Sequence, residues 1–360
     1  MIGVGIVGLS ATGGWAAKAH VPALSSLDGI ELRGLVGSSA ASGQAAGEVY
    51  AVRAYESVAA LADEVDLVVI AVKVPRHREL VLAGLAAGTA VLCEWPLARD
   101  LREAEELERA AARTRSFVGL QGRTLPVFRW LRDLVAEGYV GEVLSTTVVA
   151  STAGWGAETS EGMRYTLDRE SGATMLSIAF GHAIDAVTMV VGELEEVVAT
   201  TATRRSRVTL TGGGEEVPMT AEDQVAISGT LAGGAILSAH YRGGMVPGFS
   251  MRIDGTQGTL EVTAPTHPHI ARVSVRGARG SEALTALTLP DRYDADPGSA
   301  GTPQHALAHA YAAIRDDLVH GTSVAPDFTH AVQRHRLLDA ITRSAATGRR
   351  VEGISRGRSG

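Results

Sequence analysis

Hydrophobic and polar positions change their period about one third of the way along this 360-residue chain. Early in the chain, short continuous apolar runs alternate with segments whose apolar residues recur every three or four positions. Gly3–Leu9 reads as a buried strand, followed by a glycine-rich turn and a helical stretch through Leu24. Ile30–Val36 is expected as a strand, Ala40–Tyr50 as a helix, Val65–Val72 as a strand, Arg76–Ala87 as a helix and Thr89–Cys93 as a strand. Asp100 opens another helix, with Glu103 in capping-box position and Leu101, Ala104, Leu107 and Ala111 on one face. Ser116–Leu120 closes the series. Strands alternating with helices predict βαβ units and a doubly wound parallel sheet, assigned to residues 1–121.

From Gly141 the strands lengthen and alternate apolar with polar residues. Val143–Ser151, Leu194–Thr203, Gln224–Leu231, Ala235–Tyr241, Phe249–Asp254, Gly258–Thr263 and Ile270–Arg276 are expected strands. Glycine turns separate several of them. This pattern predicts a second α/β domain over residues 122–348, with a large open, mostly antiparallel sheet that has one covered and one available face. Gly172–Val191 is the covering-helix candidate, and Pro290–Pro303 reads as a loop. His305–Val319 and His330–Ala346 are expected terminal helices that pack back on the first domain, and residues 349–360 are expected to fray.

Composition narrows the function classes. The charge sum is 33 − 40 = −7, so no general basic field favours nucleic acid or a membrane surface. Cys93 is the single cysteine, which excludes an intrachain disulfide and fits a reducing, cytoplasmic setting. The start Met1-Ile-Gly-Val-Gly has no basic n-region, so no signal peptide is expected, and the apolar runs are too short or too interrupted to span a bilayer. The only lysines are Lys18 and Lys73.

The strongest local motif is Gly8-Leu-Ser-Ala-Thr-Gly-Gly14 between the first strand and first helix. Such a turn lets backbone N–H groups approach a pyrophosphate at a helix N-terminus, the dinucleotide-binding arrangement of a Rossmann domain. Ser10 stands where the usual fingerprint has glycine. The second strand ends Val36-Gly-Ser-Ser39 without the acid that binds adenosine ribose hydroxyls. Lack of that acid removes repulsion against a 2′-phosphate, and Ser38 and Ser39 can donate to one. The cofactor is therefore read as NAD(P), leaning to NADP; a plain polar turn reads almost as well.

Several further motifs follow in order: Trp15-Ala, His20-Val-Pro22, Ile70-Ala-Val-Lys-Val-Pro-Arg-His77, Glu94-Trp-Pro96, Gly119-Leu-Gln-Gly-Arg123, Tyr139-Val-Gly-Glu-Val and Gly172…His182-Ala-Ile-Asp185. In that order the chain resembles the Gfo/Idh/MocA oxidoreductases, over most of its length. Trp15, Glu94-Trp-Pro96 and Phe180-Gly-His182 look most like the Gal80-type branch, which includes a fungal regulator that binds a dinucleotide without evident turnover. The resemblance implies a Rossmann domain, a C-terminal α/β domain and a cofactor in the cleft between them. It places Gly8, Ser10, Ala11, Thr12, Gly14 and Trp15 near the pyrophosphate. Ala71, Val72, Lys73 and His77 fall on the nicotinamide-ribose side, with Glu94, Trp95, Pro96 and Gln121 beside the nicotinamide.

Two departures bear on chemistry. The family's substrate-orienting lysine is Trp95 here, and an indole cannot carry a proton to or from a sugar hydroxyl. The family's aspartate, one helical turn before the histidine, is Ile178. His182 remains as the acid/base candidate; a histidine in an apolar helix is otherwise most simply a packed residue. Lys73 is the second proton-transfer candidate. Arg123, Trp155 and Tyr165 are candidates for orienting a sugar. His305 with His309, and His267 with His269, are histidine pairs without an adjacent carboxylate or thiolate pattern, and no metal site is expected. The Arg204–Arg207 run reads as a solvated turn.

These residues predict an NAD(P)-dependent oxidoreductase moving hydride between nicotinamide and a sugar, polyol or related carbohydrate. A dinucleotide-binding sensor of the Gal80 type is the alternative, because both the lysine and the aspartate are gone. The open sheet face predicts a homodimer, or a tetramer built from dimers, as family members commonly pair through it.

Overall fold

The computed structural model describes residues 1–294 and 299–354 and divides the chain into two compact units. The first comprises Met1–Thr124 with Thr302–Val332, the second Leu125–Gly301 with Gln333–Gly360.

The first unit is built on six parallel strands: β1 (Ile2–Val7), β2 (Ile30–Val36), β3 (Arg53–Ala54), β4 (Leu67–Ile70), β5 (Ala90–Cys93) and β6 (Ser116–Val118), in the order β3-β2-β1-β4-β5-β6. This is the Rossmann order, with the strand direction of travel reversing between β1 and β4. Val4, Ile6, Leu35, Leu67–Ile70 and Val91 are fully buried, which is why these strands read as continuous apolar runs. Around the sheet lie α1 (Val21–Ser25), α2 (Ala40–Tyr50), α3 (Val58–Ala62), α4 (His77–Ala86) and α5 (Leu101–Ala110). Asp100 caps α5 by accepting from Glu103 N at 2.8 Å, but the Glu103 carboxylate turns to Arg99 rather than closing the box. The expected first helix is not uniform: Ala16–His20 is a π-turn that runs into α1. Tyr311 and Leu307, from the later helix α8 (Pro303–His320), join the same core cluster as Val4 and Leu35.

The second unit carries β7 (Val143–Thr152), β8 (Glu158–Thr159), β9 (Leu194–Ala202), β10 (Arg207–Leu210), β11 (Glu216–Pro218), β12 (Gln224–Leu231), β13 (Ile236–Gly243), β14 (Gly248–Gly255), β15 (Gly258–Ala264), β16 (Ser274–Arg279), β17 (Thr285–Leu287) and β18 (Val351–Glu352). Nine of them form one sheet, β17-β16-β15-β14-β7-β13-β12-β9-β18, antiparallel except where β7 meets β13. Along β7, Thr146, Val148 and Ala150 are buried while Thr147 and Val149 are exposed, so one face is covered. On the other face Val149 sits opposite His240, and Val198 opposite Ser228. Helices α6 (Pro126–Ala136) and α7 (Gly181–Val191) pack on each other, and the long α9 (Phe328–Thr347) passes from the first unit into the second.

Three expectations change. Ile270–Arg276 is displaced: residues 265–273 form an irregular segment, and the strand begins at Ser274. Gly172–Val191 is not one helix, since Leu176–Phe180 is a π-turn ahead of α7. The tail does not fray at its start, because Val351 and Glu352 pair with Val197 and Glu196 at the sheet edge. Residues 355–360 of that tail and 295–298 of the Pro290–Pro303 loop lie outside the described residues.

Candidate active site

The glycine turn closes against the loop after β4. Gly8 N donates to Val36 O at 2.9 Å, tying the ends of β1 and β2 together. Gly8 has φ +98°, and an added Cβ would lie 2.5 Å from Ala71 O and 2.7 Å from Val72 Cγ1. Glycine is required there by both conformation and space. Gly13 and Gly14 also have positive φ, but a Cβ on either would meet nothing within 4 Å. Their backbone thus borders open space, as a phosphate cradle needs. Ser10 and Thr12 hydroxyls lie 3.1 Å apart within the turn, and Thr12 N donates to Ser10 Oγ. Trp15 Nε1, at the start of the π-turn, is a buried N–H donor without a hydrogen-bond partner. An unsatisfied donor beside an open glycine turn fits an anionic ligand oxygen. Ala11 is half-buried in the same turn.

Past β2, Ser39 caps α2 by exchanging hydrogen bonds with Ser42, and the Ser38 and Ser42 hydroxyls are 3.1 Å apart. A cavity of about 1210 Å³ opens here, lined by Ser38, Ser39, Gln44, Arg53, Tyr55 and Arg76 among others. It adjoins the strand end where a Rossmann fold takes the adenosine half of a dinucleotide.

Across the sheet, Lys73 is exposed at the head of a short 3₁₀ turn, while Ala71 and Val72 are half-buried. His77 turns inward instead. Its Nδ1 lies 2.9 Å from Pro96 O and its Nε2 3.0 Å from Val72 O, with Cys93 Sγ 3.3 Å from Nδ1. Burial lowers its pKa, though those carbonyls favour the charged form. The ring tethers the loops after β4 and β5 and leaves neither nitrogen facing a ligand. Trp95 is 5% exposed, and the Trp95–Pro96 peptide is cis. Glu94, just beyond β5, accepts from Gln121 Nε2 at 3.2 Å. His20 Nε2 lies 3.2 Å from Glu94 Oε1, and His20 Nδ1 lies 2.7 Å from the Tyr311 hydroxyl. Arg123 ends the 3₁₀ turn that begins at Gln121.

In the second unit, His182 stands in the first turn of α7, directly after the π-turn that holds Ile178. Glu222 fixes that turn by accepting from Thr174 Oγ1 at 2.5 Å and Leu176 N at 3.1 Å. His182 is 8% exposed. Its ring centroid lies 4.5 Å from that of His269 and 6.0 Å from that of His267; those two are 4.2 Å apart. His267 Nε2 donates to Ala179 O at 3.0 Å, and Nδ1 of both His182 and His267 is buried without a partner. Burial, then the neighbouring His267, drives the His182 pKa down to about 3, against a smaller opposing pull from Asp185. Burial takes His267 down to about 4, and His269 lies well below the ordinary value. All three imidazoles are therefore neutral near pH 7.

Trp155 has φ +54°, donates Nε1–H to Thr166 O at 3.0 Å and packs on the small apolar cluster of Leu167, Val208 and Met219. Its N–H is committed, leaving only a ring face. Tyr165 is partly buried in the 3₁₀ segment Glu161–Leu167, and burial raises its pKa. His305 and His309 rings face each other at 4.7 Å on α8. The Arg204–Arg207 run is anchored rather than free: Arg204 N, Arg205 N and Arg205 Nη1 all donate to the buried Asp223 carboxylate.

Two groupings escape a reading by sequence spacing. His267 and His269 come to His182 from 85 and 87 positions away, and the only local signal was their own His-Pro-His spacing. His20 meets Tyr311 across 291 positions.

Comparison with known proteins adds the following. A family described as "Oxidoreductase family, NAD-binding Rossmann fold" matches residues 2–121, and the "Gal80p, C-terminal domain" family matches residues 126–264. Dehydrogenase aclE of Aspergillus oryzae is 38% identical over 154 residues, 42% of either chain. The galactose/lactose metabolism regulatory protein GAL80 of Saccharomyces cerevisiae is 28% identical over 289 residues, 72% of this chain and 66% of that one. This chain therefore spans less than two thirds of either relative. A levoglucosan dehydrogenase solved with NADH and L-sorbose shares the fold, with TM-score 0.86, 21% identity, and 99% and 100% of the two chains covered.

Proposed function

We propose a nicotinamide-dependent oxidoreductase acting on a small carbohydrate, from one premise: the chain belongs to the Gfo/Idh/MocA oxidoreductases, with an NAD-binding Rossmann domain and a Gal80p-type C-terminal domain. The carrying observation is the glycine turn, with open backbone at Gly13 and Gly14 beside the unsatisfied Trp15 N–H. Gly8, Ser10, Ala11, Thr12, Gly14 and Trp15 would hold the pyrophosphate. Ser38 would meet the adenosine ribose or a 2′-phosphate, and the lack of an acid after β2 favours NADP. Ala71, Val72, Glu94, Trp95, Pro96 and Gln121 would line the other half, with His77 acting behind them as a tether. A bound nicotinamide supplies hydride acceptance or donation.

His182 would take up or return the hydroxyl proton; its Nδ1 is buried without a hydrogen-bond partner. Lys73, exposed on the other unit, is the second candidate. Arg123 and Tyr165 would orient the sugar, and Trp155 would offer its ring face. The exposed face of the nine-stranded sheet would pair two copies, a dimer to be read by light scattering at micromolar concentration.

The sensor reading has its own support. Trp95 stands in place of the lysine and Ile178 in place of the aspartate, and a base held near pKa 3 is poorly matched to proton transfer at neutral pH. Titration with NADH and NADPH, followed by nicotinamide fluorescence and then a panel of ketosugars, separates the two. Enhanced fluorescence that decays on sugar addition supports the enzyme. Enhancement that shifts and holds supports the sensor, and Trp95→Lys should then gain oxidation. No enhancement with either coenzyme refutes both.

A further inference from the structure

The irregular segment 265–273, between β15 and β16, contains Thr266-His-Pro-His-Ile270. Ile270 N donates to His267 O at 3.1 Å, which closes a β-turn with the buried Pro268 at its second position. The His267 ring reaches 88 positions back along the chain, to Ala179 O at 3.0 Å. A carbonyl only accepts, so Nε2 carries the hydrogen, and the neutral ring keeps Nδ1 as a bare lone pair. Ala179 lies in the π-turn, and His182 follows one helical turn later. Helix carbonyls point toward the C-terminal end while side chains lean toward the N-terminal end. A donor on Ala179 O and the ring of His182 therefore meet. The His182 and His267 centroids are 6.0 Å apart, and His269 lies 4.5 Å from the first and 4.2 Å from the second. The helix is pinned on both sides of His182. Ahead of it Glu222, 4% exposed, accepts from Thr174 Oγ1 and Leu176 N; beyond it the Asp185 carboxylate accepts from Arg334 Nε of α9 at 3.1 Å. What the ring faces then depends on where the 265–273 segment lies.

We propose that His267 is a positioning residue: its Nε2–H staples the Pro268 turn onto the π-turn and holds His269 against the His182 ring. Pro268 fixes its own φ, so the place of His269 follows from that of His267. Release of the staple frees both rings together and uncovers His182. The groups that face His182 are His267 and His269 on the turn and Asp185 on its own helix, the last engaged by Arg334. With the turn docked, His182 is buried among neutral rings; with the turn lifted, it is an imidazole in water. The staple itself is independent of any reaction. Only its kinetic consequence rests on the oxidoreductase reading above.

The test follows His182 in the full chain by nitrogen-15 NMR from pH 7.5 to 5.0, its signal assigned by its loss in His182→Phe. In the parent the ring should not titrate in that window. His267→Asn places its amide too short of Ala179 O, and His182 should then titrate within the window, toward the ordinary value of about 6.5. His267→Gln carries an amide nitrogen at the reach of Nε2, so it should restore the staple and keep His182 silent. Titration in both variants would mean that the imidazole covers His182 without its hydrogen bond, and silence in both that the cover needs no staple; either result overturns the proposal. His267→Phe fills the same volume without a donor. It should behave as His267→Asn, and it decides the matter if the smaller side chain unfolds the protein. With NADPH and a ketosugar that the parent turns over, His267→Asn should lower kcat about 10-fold or more with KM within about 3-fold, and His267→Gln should recover most of the loss. An unchanged kcat in His267→Asn would overturn the positioning role. A parent without turnover refutes the oxidoreductase reading, and the titration then decides the staple by itself.

Discussion

Lowering the pH from 7.5 to 5.0 should destabilise the second unit through His182, and removing His182 should remove that share. The folded ring titrates at about 3, against 6.5 for an ordinary histidine. In the unfolded chain the ring takes up a proton as the pH falls through 6.5, while in the fold it stays neutral until about 3. The unfolded state therefore binds more protons across that window, and stability falls with pH at up to about 1.36 kcal/mol per unit. The contribution is intact above pH 6.5 and is lost progressively below it. Integrated to pH 5.0, the loss is about 2 kcal/mol from His182 alone. His267 and His269 keep part of their surface accessible, so the working figure is taken from His182 only. Urea unfolding followed by circular dichroism, on the parent and on His182→Phe, gives the difference between the two pH values for each. Histidines outside the three-ring cluster cancel in the comparison, and carboxylates titrate mostly below the window. The parent should lose about 2 kcal/mol more than the variant. Equal losses would mean that His182 is not held neutral by its surroundings, and the description of the three-imidazole cluster would fall with it.

Three other perturbations follow from the same geometry. Gly8→Ala should cost about 1–3 kcal/mol from the positive φ alone, before the contact with Ala71 O, and should abolish NADH fluorescence enhancement; a variant that binds NADH as the parent does would remove the turn from the site. Trp15→Phe should weaken dinucleotide binding about 10-fold in a direct titration, while thermal stability stays level or rises, since the lost N–H had no partner in the fold; unchanged binding would mean that the indole N–H meets no ligand. Arg334→Met should cost about 3–5 kcal/mol in urea unfolding, because the fully buried guanidinium donates to Asp185, Thr188 and Glu193 around the α7 helix that carries His182. A loss under about 1 kcal/mol would show that those acids find other partners or water.

The first unit was largely legible because its strands are buried on both faces. Ala40–Tyr50 and Ile30–Val36 fall where the pattern puts them, and β4 and β5 differ from expectation only at their ends. Two-residue strands such as Arg53–Ala54 and Val351–Glu352 carry too few side chains to show a period, so the sheet edges were missed. The π-turns were invisible for another reason. Their apolar residues continue the helical pattern, and the extra residue per turn appears only in the backbone.

That hidden residue bears on function. One π-turn ends at His20, and His182 lies two residues beyond the other. Each ring is thus rotated off the phase that a plain α-helix would give it. His20 reaches both Tyr311 and the Glu94 carboxylate, and His182 reaches the His267–His269 pair. Motif order singles out His182 as a candidate and contains His20 without giving it a role, and it pairs neither with its partner, because each partner is supplied by a distant segment. The two surroundings then set opposite roles. His182 sits among neutral rings with a buried Nδ1 that has no hydrogen-bond partner. His20 is closed between a hydroxyl and a carboxylate, so it can only orient. Lys73 differs again: it is exposed on the turn after β4. Of the two proton-transfer candidates, His182 is the buried one, with its Nδ1 unpartnered.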